Sequence, residues 1–275
     1  MIRILASAAA LLAFAAPSGA YAQGGDWRGF YVGGHAGYAF QPDDDGESVL
    51  FDTNLDAVSG DTVRTAAGAN AFSPGFCGGR AKTPTPSGGC ADDKDAGDYG
   101  LRAGYDWRFG DWVLGALGEI AFSDIDDSVS AFSTTPARYT MTRELNWVAA
   151  VRARAGYAFD DVLLYGTGGF AWADVDHRFS TSNVVNTFTQ TGDDDVSGYQ
   201  LGAGVEWALS PHWRIGAEYL YTSLEDDDYT VRSGGPAPAT NPFILVNSAG
   251  TDFTRSDEDF EFNSVRLTLA YRFGS

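Results

Sequence analysis

Residues 97–109 read G-D-Y-G-L-R-A-G-Y-D-W-R-F, and they alternate strictly. Tyr99, Leu101, Ala103, Tyr105, Trp107 and Phe109 share one parity; Asp98, Gly100, Arg102, Gly104, Asp106 and Arg108 share the other. Successive side chains of a β-strand point to opposite faces, so this segment is an extended strand with one apolar and one polar face. Two settings accept it. In a soluble half-buried sheet the apolar face meets a core and the polar face meets water. In a membrane barrel the apolar face meets lipid and the other face lines the lumen.

The same split recurs along the chain. A first strand over 29–40 puts Phe30, Val32, Ala36, Tyr38 and Phe40 outward, with Tyr31, His35 and three glycines inward. A third, over 112–122, puts Trp112, Leu114, Ala116, Ile120 and Phe122 outward and Glu119 inward. The fourth, 144–159, sends Leu145, Trp147, Ala149, Val151, Ala153, Ala155, Tyr157 and Phe159 out, and Glu144, Asn146, Arg152 and Arg154 in. Strands over 198–209, 213–221 and 264–273 follow the same rule. Their inward charges are Glu206, then Arg214 and Glu218, then Arg266 and Arg272. A fifth strand, near 162–173, is apolar on both faces, so its register stays open. Every charge within these strands falls on the inward parity. A charge facing lipid at mid-bilayer costs roughly 2–4 kcal/mol, so that sorting favours the barrel. All prolines after Pro17 fall outside the strands, as a hydrogen-bonded ladder requires. Trp107, Phe109, Trp112, Tyr157, Phe159, Trp207, Trp213, Tyr271 and Phe273 lie near strand ends, where the aromatic girdles of a membrane barrel belong.

Connections alternate in length. Gly110-Asp111, Asp160-Asp161 and Ser210-Pro211-His212 are tight turns, whereas 41–97, 123–143, 174–197 and 222–263 are long; whether part of 222–263 extends the two strands that flank it above the membrane stays open. The sequence therefore predicts an all-β fold: an eight-stranded antiparallel transmembrane barrel with both termini and three tight turns at one end and four long extracellular loops at the other. Of the 37 acidic residues, 27 lie in the long segments, against 9 basic ones. Runs such as Asp43-Asp44-Asp45, Asp193-Asp194-Asp195 and Asp257-Glu258-Asp259 make the net charge of −19 a property of the loops. Such runs read as solvated, mutually repelling loops, and the charge excludes nucleic acid as a partner.

Residues 1–22 have the layout of an export signal: Arg3, the apolar stretch from Ile4 to Ala16, and Ala20-Tyr21-Ala22 before Gln23. The barrel domain then occupies 23–275. No other stretch is long and apolar enough to span a membrane as a helix, so spanning requires a closed barrel. Cys77 and Cys90 sit in one polar loop, and export permits them to pair.

The segments W-R-G-F-Y-V-G-G-H-A-G-Y (27–38), G-L-R-A-G-Y-D-W (100–107), V-R-A-R-A-G-Y-A-F (151–159), L-L-Y-G-T-G-G-F-A-W (163–172), G-A-G-V-E-W-A-L (202–209), R-I-G-A-E-Y-L-Y (214–221) and V-R-L-T-L-A-Y-R-F (265–273) give the chain a further likeness. It resembles the small outer-membrane barrels grouped with the β-barrel domain of outer-membrane protein A, and in particular the "porin family" immunogenic outer-membrane proteins of alphaproteobacteria. That resemblance implies a Gram-negative outer-membrane location, contact with outer-membrane lipid and lipopolysaccharide, and a monomer. Tyr271-Arg272-Phe273 resembles the aromatic-ended strand read by the outer-membrane assembly machinery, although Gly274-Ser275 follow it.

Chemistry has few candidates. Arg102, Asp106, Arg108, Glu119, Glu144, Arg152, Arg154, Glu206, Arg214, Glu218, Arg266 and Arg272 share the expected lumen. They form either a plug of paired charges, since an eight-stranded interior is just wide enough for side chains, or the constriction of a narrow pore. The acidic runs lack the spaced pattern of a calcium loop. The three histidines, His35, His177 and His212, have no nucleophile partner in sequence, with Asp174 and Asp176 beside His177 the one feature to inspect. The expected role is non-enzymatic, without cofactor: a structural and surface-interaction barrel. The alternatives are a low-conductance pore for small polar solutes and a surface receptor for haem or a divalent cation.

Overall fold

The computed structural model describes residues 26–41 and 46–273. The expected export signal and the Asp43-Asp44-Asp45 run lie outside the described residues. Along the chain, β1 (Gly29–Phe40) is followed in the first long connection by β2 (Val49–Asp52), β3 (Gly75–Gly78), β4 (Arg80–Ala81) and β5 (Cys90–Ala91). Then come β6 (Ala96–Phe109), β7 (Trp112–Ser123), β8 (Asp126–Ser133), β9 (Ala137–Phe159), β10 (Val162–Thr181), β11 (Thr187–Thr191) and β12 (Asp195–Ala208). The chain ends with β13 (Trp213–Glu225), β14 (Thr230–Gly234), β15 (Thr251–Arg255) and β16 (Asp259–Phe273).

Eight of these close a ring in the order β1, β6, β7, β9, β10, β12, β13, β16 and back to β1, every pairing antiparallel. The seam joins first and last strands, from Phe30 opposite Phe273 to Phe40 opposite Asn263. Tight turns follow β6 and β9, with Gly110 at φ 66° and Asp160 at φ 49°, the left-handed geometry that two-residue hairpins need. Two other glycines make room inside the ring. A Cβ on Gly104 would lie 2.6 Å from the Tyr31 hydroxyl, and one on Gly204 would lie 2.5 Å from that of Tyr165.

The fifth predicted strand, β10, now has a register. Leu163, Tyr165, Ala171 and Ala173 face inward, and Leu164, Phe170 and Trp172 face outward. Its inner face is apolar because it packs against other apolar lumen groups, among them Trp27 and Val113.

The fourth strand corrects the sequence reading. Strand β9 has 23 residues, about twice the roughly 9–11 that a tilted strand needs to cross a membrane. Pairing with β10 shifts between Asp174, opposite Trp147, and Val175, opposite Leu145. The extra residue at this bulge, Asn146, gives its amide to Asp174 (2.6 Å) instead of facing the lumen. One inserted residue reverses the parity of everything beyond it. Leu145, expected toward lipid, is therefore buried inside, and Arg143 points inward. Glu144, expected in the lumen, stands on the outer side, where Arg178 pairs with it at 2.8 Å.

The long connections are a second correction. They are not simply solvated loops: the strands of the barrel run on above the bulge and the loops complete a folded cap. Strands β3 and β8 and the upper parts of β9 and β10 form one sheet. Strands β11, β14, β15 and β2 form the other. Between them lies an aromatic core of Phe51, Phe72, Tyr139, Phe243 and Phe253, with Val129, Met141 and Val231. Phe179 and Phe188 pack on it with ring centroids 5.0 Å apart. This is a β-sandwich built from all four acidic loops, with aromatics inside.

Candidate functional site

The lumen is the place where buried charge collects. Glu218 is its hub: it accepts from Arg102 (2.8 Å), Arg152 (3.3 Å) and the Tyr165 hydroxyl (2.7 Å). Glu119 takes Arg152 at 2.9 Å and Arg266 at 2.6 Å. Arg266 also reaches Asp98, whose other oxygen lies 3.3 Å from His35. Glu206 receives both terminal nitrogens of Arg154, at 2.9 and 3.1 Å. Asp106 receives Arg272 at 2.6 Å and faces Arg154 at 3.5 Å. Five arginines thus meet five carboxylates, all buried, which is the arrangement that lets charges leave water without a large net penalty.

Three residues expected in this network lie elsewhere. Glu144 is outside, for the reason given by the bulge. Arg108 is at the turn end, where its Nε donates to the Gly110 carbonyl at 2.7 Å. Arg214 is buried at the mouth beside the termini and donates to the carbonyls of Ser210, Trp213 and Asp26. It also stacks on Trp27, 5.0 Å from the ring centre.

Two apolar layers bracket the charges. At the turn end, Trp27 is fully buried with Val113, Ala158, Leu163 and Tyr165, and Arg272 holds its carbonyl at 2.9 Å. At the loop end, Ile125, Leu145, Val148, Val175, Leu224, Phe260 and Phe262 fill the ring. Sequence reading missed both layers. The inward parity of Phe260 and Phe262 was available, but it lay within 222–263, whose continuation of the flanking strands the sequence leaves open.

A second charged layer joins barrel to cap. Arg255 grips Glu47 with two bonds, at 2.7 and 2.8 Å, and reaches Asp127 at 2.8 Å. Arg143 donates to Asp127 (2.7 Å), Asp226 (3.5 Å) and the Asp259 carbonyl (2.7 Å), and lies over the Phe260 ring. His177 bonds Asp226 at 2.8 Å and Asp194 at 3.3 Å, and stacks on Tyr229 at 4.5 Å. Its sequence neighbours go elsewhere: Asp174 to Asn146, Asp176 to Arg178. Burial pushes the Glu47 carboxyl up to about 7, against the pull of Arg255. Burial, helped by the Asp127 charge, pushes Asp93 up to about 7 as well. Asp127 is also buried, yet Arg255 and Arg143 hold it below the usual carboxylate range. Burial alone would lower His177, but its bonds to Asp226 and Asp194 raise it.

Cys77 and Cys90 form a disulfide with Cα atoms 6.5 Å apart. The β4–β5 hairpin it closes lies over a hydroxyl layer on the other face of the cap sheet. Ala81 N–H donates to Ser130 Oγ (2.9 Å), which in turn meets Thr140 Oγ1 at 2.8 Å.

Around the barrel, Trp107, Phe109, Trp112, Phe159, Trp207, Trp213 and Phe273 are exposed at the turn end of the strands, with Tyr157 and Tyr271 half-exposed beside them. At the other end, Phe122, Phe170, Trp172 and Tyr199 are exposed. Between these bands the exposed residues are apolar, including Leu101, Leu114, Val151, Leu201 and Leu267. An apolar outside, a charged inside and no sheet edge in the ring together define an integral outer-membrane β-barrel protein.

The sequence profile of the outer membrane protein beta-barrel domain matches residues 6–273, and the chain belongs to that family. It is 31% identical to the 31 kDa outer-membrane immunogenic protein of Brucella melitensis over 225 residues, 78% of this chain and 85% of that protein. It is 29% identical to the 22 kDa outer membrane protein of Rhizobium leguminosarum bv. viciae over 170 residues, 62% of this chain and 63% of that one. Among solved structures, the chain is similar to Ail, the attachment invasion locus protein of Yersinia pestis. That match has 13% identity and a TM-score of 0.34, and covers 89% of this chain and 99% of Ail. Neisserial surface protein A matches with 11% identity and a TM-score of 0.34, over 89% and 97%.

Proposed function

We propose that this outer-membrane barrel is a non-enzymatic, non-conducting scaffold that presents a folded acidic cap to the cell exterior. The observation that carries this reading is the stack of layers along the axis. From the termini outward come Trp27, five arginines interlocked with five carboxylates, an apolar plug ending in Phe260 and Phe262, a second charged layer, and the aromatic core. Ions would have to part desolvated pairs and cross two dry layers. Catalysis loses its best histidine: His177 has a side chain only 4% exposed, and both ring nitrogens are engaged. The same engagement removes the loop histidine a haem site would use. Partner contact falls to the cap and its rim, with lipid on the aromatic girdles, lipopolysaccharide around the cap, and the monomer as the working unit.

The test is single-channel recording of the refolded protein in a planar bilayer, with folding checked by heat-dependent gel mobility. A silent membrane supports the scaffold. Discrete, reproducible openings from folded protein refute it and restore the pore for small polar solutes, with the lumen arginines as its constriction.

A further inference from the structure

The layer between barrel and cap has more carboxylates than cations. Glu47 and Asp93 come from the first long connection, and Asp127 from the second. Asp226 comes from the fourth. Among the described residues, Arg143 pairs with Asp127 and Asp226, and Arg255 with Glu47 and Asp127, while Asp93 accepts from the Ser128 N–H at 2.8 Å. Lys94, next to Asp93, points away to the Asp124 carbonyl. The third connection contributes His177, wedged between Asp226, Asp194 and the Tyr229 ring. All four loops therefore meet in one cluster, buried except for Asp93, half-buried, and Asp194, exposed at its edge. Glu47, Asp93, Asp127 and Asp226 against Arg143 and Arg255 leave two negative charges when every acid is ionised and His177 is neutral. Buried uncompensated charge is costly, and a group in that position takes a proton instead. We propose that the joint is a proton-operated latch: seating the cap on the barrel takes up protons, so the cap is held at mildly acidic pH and loosened above neutrality.

The titration of the individual groups agrees in sign. Glu47 and Asp93 are displaced upward, so the seated cap gains as pH falls through about 7 and loses as pH rises through it. His177 is also displaced upward, so its contribution is complete below its ordinary value and fades as pH rises through the raised one. Asp127 runs the opposite way, since its lowered value makes its contribution fade in acid. That loss falls below the usual carboxylate range, well under the window in which the other three act. A carboxyl that titrates near 7 when seated and near its ordinary value when free makes seating about tenfold less favourable between pH 6 and pH 8. Glu47 and Asp93 repel one another and titrate together, so the pair gives between about tenfold and about a hundredfold.

Hydrogen–deuterium exchange on the full-length protein in phosphatidylcholine nanodiscs reads this directly, with times scaled to intrinsic exchange at each pH. Amides of β2, β8 and β15 are expected to exchange between about tenfold and about a hundredfold more readily at pH 8 than at pH 6, while those of β1, β6 and β16 stay level. Asp93→Asn, which keeps an acceptor for the Ser128 N–H, is expected to remove about tenfold of that difference. Glu47→Gln combined with it should leave only the part carried by His177. Equal cap protection at both pH values would overturn the latch. So would an undiminished pH dependence in the double variant. A double variant whose cap exchanges fast at both pH values would also overturn it, because ionised Glu47 and Asp93 would then be what holds the cap.

Discussion

Removing the Glu218 carboxylate is the sharpest test of a dry, interlocked lumen. Glu218→Ala deprives Arg102 and Arg152 of their shared partner and leaves the Tyr165 hydroxyl without its acceptor. Glu119 then has to answer Arg102 and Arg152 alone and shares Arg266 with Asp98. Breaking a buried pair from one side costs about 3–5 kcal/mol, because the stranded charge stays out of water. The neighbours belong to four strands, β6, β9, β10 and β16, so no single one can move to relieve it. Urea unfolding of protein reconstituted in phosphatidylcholine vesicles, followed by tryptophan fluorescence and gel mobility, should show a loss in that range. Glu218→Gln keeps the shape and one acceptor oxygen and should lose less. The bilayer should remain silent in both variants, since the Trp27 and Phe260/Phe262 layers are untouched. A loss below about 1 kcal/mol for Glu218→Ala would refute the reasoning, because only water reaching the arginines could make the change so mild.

Three further outcomes are expected. Trp27→Ala empties the layer that Arg214 and Arg272 hold, and should cost about 3–5 kcal/mol in the same unfolding assay. Leu145→Asp should prevent stable folding as judged by gel mobility, whereas Glu144→Leu, on the outer side of the cap, should shift stability by only about 0–1 kcal/mol. Replacing Cys77 and Cys90 by Ser should speed proteolysis within 75–91 and leave the unfolding of the barrel unchanged. The link is worth about 3 kcal/mol to its own short loop, and the β4–β5 hairpin lies outside the ring.

The barrel was legible because lipid keeps charge off the outer face: each inward charge and outward aromatic of 97–109 had to keep its parity. The fourth strand shows where that rule fails. Nothing in Glu144-Leu145-Asn146-Trp147 announces an inserted residue, and the choice of bulge is made by the partner strand, through Asp174 and its bond to Asn146. The cap was concealed for a different reason. Its strands carry the period-two signal, as in Val49 and Phe51, Val129 and Ala131, or Tyr139 and Met141. They are short, though, and sit among acidic runs whose composition reads as solvated loop. The second charged layer was out of reach altogether, since Glu47 and Arg255 are brought together across 208 residues of chain.

The bulge and the cap are one solution to a single problem. A strand that continues out of a membrane changes surroundings along its length, and the face toward lipid has to become a face toward water or protein. Below the bulge, β9 shows Ala149, Val151 and Ala153 to lipid and Arg152 and Arg154 to the lumen. Above it, the parity turns over, so Arg143 and Met141 point to the axis and Thr140 and Thr142 point away. Those threonines would be poor lipid-facing residues. Outside the membrane they find Ser128 and Ser130 of β8, which the disulfide-closed hairpin then covers. Strand β10 needs no such reversal, because its inward parity stays apolar from Ala171 through Val175 and resumes at Phe179, with only His177 between. The polar residue at that interruption is the one that meets Asp226 in the charged joint. The place where the pattern of β10 breaks is therefore the place where barrel and cap are tied together.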